Sequence, residues 1–68
     1  MPARYRFWAA VRFNKDDNRE WVDPETISIH PEVAKRVADR NDSGLPMFFA
    51  AHPVVRIAEF EAVEVTRG

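Results

Sequence analysis

A period of two marks both ends of this chain, and that feature limits its fold more than any other. In Ala3 to Phe13 (ARYRFWAAVRF), Tyr5, Phe7, Ala9, Val11 and Phe13 alternate with Arg4, Arg6, Trp8, Ala10 and Arg12. Successive side chains of a strand point to opposite faces, so this pattern predicts a strand with one apolar and one mixed face. Val54 to Thr66 (VVRIAEFEAVEVT) is rich in β-branched residues but changes phase. Val55, Ile57, Val63 and Val65 fall in one phase and Ala58, Phe60 and Ala62 in the other, which predicts either two partly buried faces or a bulge near Glu59 to Glu61. Paired antiparallel, the two strands would bring Arg4, Arg6 and Arg12 toward Glu59, Glu61 and Glu64.

Between these ends lies one clear helical pattern. Pro31 suits a first helical position, Glu32 suits the positive end of the helix dipole, and Val33, Ala34, Val37 and Ala38 share one face. His30 is then the N-cap. Asn41, Asp42, Ser43 and Gly44 supply a stop, with Gly44 expected in the left-handed region, so the helix is predicted over Pro31 to Asn41. Glu32 with Arg36 and Lys35 with Asp39 are four apart and suit a solvated face. The polar run NKDDNRE (Asn14 to Glu20) reads as a turn. Trp21-Val22 and Thr26 to Ile29 read as short extended pieces, the first stopped at Asp23-Pro24.

The fold class expected is α+β, a single domain over residues 1 to 68. Its architecture is a mainly antiparallel sheet of two to four strands, with the long strands paired centrally and one helix packed on one face. The core candidates are Tyr5, Phe7, Val11, Val33, Val37, Phe48, Ile57, Phe60 and Val63. A chain of 68 residues buries only about 60% of its unfolded surface, and its core alone rarely yields more than about 3–5 kcal/mol. The chain has no Cys, so disulfides and thiolate metal sites are excluded and a partner subunit becomes the available support.

The segment LPMFFAAHPVV (Leu45 to Val55) is the most apolar part of the chain. Pro46 and Pro53 leave room for a short strand or a single helical turn. Most of it is expected to close the edge of the core. Adjacent Phe48 and Phe49 would point opposite ways on a strand, so one of them is expected to stay exposed. Exposed Phe, Met and Leu mark an interface, and a homodimer is the simplest one.

Catalytic signals are sparse. His30 and His52 each precede proline, and no HxH, HxxxH or HExxH spacing joins them to Asp23 or Glu25 as a metal site. Ser28, Ser43 and Thr26 lack a nucleophile elbow. Gly44 and Gly68 are too few for a phosphate loop, and Asp16-Asp17 sit in the polar turn, where water keeps acids ordinary. The expectation is a protein with no catalytic, cofactor or metal site.

Net charge is −1, but residues 1 to 22 hold five basic against three acidic groups. Arg4, Arg6, Trp8, Arg12, Lys15 and Arg19 form a basic and aromatic set of the kind that stacks bases and holds phosphates. Nucleic-acid binding is therefore the alternative reading. The favoured one is a non-enzymatic protein-binding or regulatory module, acting as a homo-oligomer or on another protein through an exposed sheet face and the apolar loop. Trp8, Met47, Phe48 and Phe49 are its expected contact residues. No segment approaches the roughly 20 apolar residues of a membrane span, and a soluble cytoplasmic protein is expected.

Overall fold

A computed structural model describes residues 2–65. It is a small α+β fold built on a three-stranded antiparallel sheet of order β2-β1-β3, where β1 is Arg4–Asn14, β2 is Arg19–Val22 and β3 is Val54–Val63. The two long strands pair as the sequence predicts, with Phe7 opposite Phe60 and Ala9 opposite Ala58. Strand β1 alone is central; β3 forms an edge. The register slips where Val11 faces Arg56 but Arg12 faces Val54, so the extra residue is Val55. The bulge thus lies near the start of β3, and the predicted Glu59 to Glu61 stretch pairs regularly. Thr66, the predicted end of the strand, lies outside the described residues.

The β1–β2 turn is made by local polar chemistry. The Asn14 side chain accepts from the Asp16 amide at 2.9 Å, and Asn18 takes a positive φ of 57°, a conformation that asparagine tolerates. After β2, the residues predicted as a second extended piece divide. Pro24–Thr26 form one 3-10 turn, capped by the Asp23 side chain, and Ser28 alone bridges Trp8 with amide–carbonyl bonds of 2.6 and 2.8 Å.

Helix α1 spans Pro31–Gly44, three residues beyond its predicted end. Gly44 stays helical, with no positive φ. The stop comes from Pro46, which biases the preceding Leu45 away from helical backbone; Leu45 sits at φ −134°, ψ 63°. His30 occupies the N-cap position without a side-chain bond. Neither Glu32–Arg36 nor Lys35–Asp39 is among the ion pairs of the described residues. Helix α2, Pro46–Ala50, is the single turn that the proline brackets allow.

The sheet face that the helices cover is the reverse of the simple expectation. Arg12 bonds Asp42 on α1, and its guanidinium carbon lies 4.1 Å from the ring centre of Phe49 on α2. Alternation along β1 therefore puts Trp8, Ala10 and Arg12 beneath the helices, and Tyr5, Phe7, Ala9, Val11 and Phe13 on the other side. The cleaner apolar face is the one no helix covers. Small side chains explain the seat of α1: Ala10, Ala34 and Ala38 are buried and permit close approach.

The core is accordingly thin. Its apolar members are Ala9, Ala10, Val11, Ala34 and Ala38, and the largest fully buried side chains are Arg12 and Thr26. Of the predicted core, Val11 is buried, Phe7, Val33, Val37, Ile57 and Phe60 are half-buried, and Tyr5, Phe48 and Val63 are exposed. Tyr5 lies on the uncovered sheet face, Val63 at the far end of β3, and Phe48 on the outer side of α2.

Candidate protein-binding surface

Two apolar surfaces stand free of the core, and a buried ionic cluster fixes their relation. Arg12 is its centre. The Nε donates to Asp23 at 2.7 Å, and Nη1 donates to Asp42 at 2.8 Å and to the His52 carbonyl at 2.9 Å. One side chain from β1 thereby ties together the end of β2, the end of α1 and the entry to β3. Nη2 is buried without a partner, so the cluster is stabilised by geometry around two of the three nitrogens. Thr26 completes the seam: its hydroxyl accepts from the Ala10 amide and donates to the Asp23 carbonyl, both at 2.7 Å.

On this frame α2 is held through aromatic contacts. Phe49 covers Arg12, Phe48 meets Phe49 edge-on at 4.9 Å and stacks on His52 at 4.9 Å, and Trp21 Nε1 donates to His52 Nδ1 at 3.3 Å. The outer side of the turn is left bare. Met47 is 91% exposed, and Leu45 and Phe48 are more than half exposed. Of the predicted contact residues, Met47 and Phe48 are accessible. Phe49 is half-buried against Arg12, and Trp8 lies on the helix-covered face, partly enclosed beside Ser28; neither stands in the open. The expectation that one of the paired phenylalanines stays out holds for Phe48, by helical rather than strand geometry.

The second surface is the open sheet face. Register and alternation place Tyr5, Phe7, Val11 and Phe13 of β1, Val22 of β2, and Ala58, Phe60 and Ala62 of β3 on it. Ile27 and Ile29 flank the bridging Ser28 and so fall on the same side. Phe7 and Phe60 stack with ring centres 5.6 Å apart. Tyr5, Ile27 and Ile29 are at least half exposed. Only one charged pair occupies the strand positions of this face: Arg56 donates two 2.9 Å bonds to Glu20. That bond, with the Arg56 charge, holds the Glu20 carboxyl below its ordinary pKa and raises that of Arg56.

Of the residues on this face expected in the core, Val11 is buried, Phe7 and Phe60 are half-buried, and Tyr5 is exposed. The overlooked signal is volume: a helix that offers Ala34 and Ala38 inward has too little apolar surface to cover a face holding Tyr5, Phe7, Phe13 and Phe60.

The basic set is dispersed. Arg12 is fully buried and cannot reach a phosphate, which corrects its place among the candidate nucleic-acid contacts. Arg4 and Arg6 are exposed but approach Glu61 at 3.3 and 4.0 Å, while Lys15 and Arg19 lie at the hairpin turn. Arg12 also departs from the predicted glutamate pairing, because Asp23 and Asp42 reach it first from other elements. Among the described residues, no group of three or more His, Cys, Asp or Glu is arranged to hold a metal, and no helix is long and apolar enough to cross a membrane.

Fold and surface together define a small α+β domain with an uncovered apolar sheet face. No protein-family model, curated protein or solved structure matches the chain.

Proposed function

We propose that the protein is a non-enzymatic protein-binding module that acts as an assembly of its own copies, through the exposed sheet face and the apolar turn α2. The observation that carries this reading is the inversion of burial. The largest fully buried side chains are Arg12 and Thr26, whereas Tyr5, Ile27, Ile29, Met47 and Phe48 remain at least half exposed. A small domain gains stability by burying apolar surface, and surface left bare after folding is available for a partner.

Size-exclusion chromatography with light scattering, across a range of concentrations, tests the reading. The expected mass is a multiple of the 7.9 kDa chain. A mass of one chain throughout the range would overturn self-assembly. The nucleic-acid reading would have to work without Arg12 and with Glu61 beside Arg4 and Arg6, and no further observation favours it.

A further inference from the structure

We infer that two copies pack their open sheet faces together about a twofold axis, giving a sandwich with the sheets inside and α1 and α2 on both outer sides. This rests on the self-assembly proposed above and names the surface that performs it. Domains are built from layers that bury their apolar faces, and here one sheet has a helical layer on one side only. Tyr5, Phe7, Val22 and Phe60 lie on the uncovered side by register, around the buried Val11.

Three observations select a second copy as the occupant. The first is area. A compact protein of 7.9 kDa has an accessible surface of about 4,400 Å². This chain has 5293 Å². The excess of about 900 Å² is close to the roughly 800 Å² that each partner contributes to a standard stable interface. The second is shape. The radius of gyration is 13.7 Å, where a compact chain of this length has about 11 Å, and the molecule measures 44 × 26 × 19 Å. A second layer against the broad sheet would compensate for that flatness.

The third is charge. In a twofold interface each patch meets itself, so a face with net charge repels its own copy. The strand positions of this face carry one acid and one base, Glu20 and Arg56, already bonded to each other. Bringing two such faces together strands no unpaired charge among the strand positions, and Glu64, whose amide bonds the Ala3 carbonyl just past β3, sits at the end of the face. The α2 surface lacks this balance, because Leu45 and Phe48 share a groove with Glu25, whose carboxylate is bonded to the neutral Asn41 amide, and two copies would bring these acids together.

A mixed sample of carbon-13-labelled and unlabelled chains, studied by isotope-filtered nuclear Overhauser spectroscopy, reads the contact in the unaltered protein. The expected cross-peaks join the Phe7 and Phe60 rings of one chain to the Val22 or Tyr5 side chains of the other. Tyr5→Asp or Val22→Asp should weaken dimerisation about a hundredfold, since the twofold introduces each buried carboxylate twice; Lys35→Ala, at an exposed position of α1, should leave it unchanged. Dimers whose cross-peaks come from Met47 and Phe48 would overturn the sheet-face assignment and leave self-assembly standing. A single-chain mass at every concentration would overturn both.

Discussion

Arg12 carries more of the fold than any apolar side chain does. It is a cation at zero exposure with carboxylates at 2.7 and 2.8 Å, a carbonyl at 2.9 Å and an aromatic ring over it. A buried pair of this kind contributes little over a well-packed apolar replacement, yet removing one partner costs about 3–5 kcal/mol, because the other charge stays buried. Asp23→Asn should therefore be strongly destabilising in urea denaturation, and adding Arg12→Met should recover part of the loss. Additive losses would mean that the two side chains act independently. Thr26 offers a cleaner case. Thr26→Val keeps the shape but leaves the Ala10 amide and the Asp23 carbonyl without the hydroxyl they share, at a cost of about 1–3 kcal/mol, while Thr26→Ser should lose much less. None of this was readable from the alternation of β1. A period of two separates the faces of a strand, but Arg12 looks like a solvent residue until Asp23 and Asp42, 11 and 30 positions away, are brought to it.

The elements follow local chemistry more closely than the side-chain contacts do. The strand at each end, the polar hairpin turn and the helix beginning at Pro31 are all legible, because alternation, asparagine turns and a first-position proline act within a few residues. The end of α1 is less so, since Gly44 and Pro46 both signal a stop and only one of them provides it. Gly44 is helical and a β-carbon there would meet nothing within 4 Å. Gly44→Ala should accordingly stabilise the protein by about 0.4–1 kcal/mol, by reducing the freedom of the unfolded chain. A thermal midpoint lowered by this substitution would show that the position needs the freedom of glycine after all. The shift at Val55 has a similar lesson. A phase change within β3 was visible, but a bulge can be placed only when the partner strand's register is known, and Val11 and Arg12 supply it.

At the scale of the molecule, stability and assembly are one question. The apolar core within a chain is mostly alanine, while the aromatic side chains Tyr5, Phe7, Phe13 and Phe60 lie on the face that the proposed sandwich would close. A partner that binds only the folded chain raises the apparent stability by mass action. The thermal midpoint should thus rise with protein concentration, and the rise should disappear in Val22→Asp. Acid gives the same coupling a sign. The Glu20 pKa is lowered in the folded chain chiefly by the hydrogen bond from Arg56, which outweighs the opposing desolvation, and the Arg56 charge adds a lesser lowering. Such a group contributes stability above its unfolded pKa and loses it as pH falls through the folded value. Protonating Glu20 also leaves Arg56 as an unmatched cation on each sheet face, and a twofold axis would set those cations on one interface. The dimer should therefore dissociate as pH drops below the ordinary glutamate range, and Glu20→Gln should show the weaker association already at neutral pH. If light scattering gave the same dimer fraction for Glu20→Gln and the native chain from neutral to acidic pH, the Glu20–Arg56 pair would lie outside the contact, and the sheets would have to meet over the Tyr5 end of the face alone.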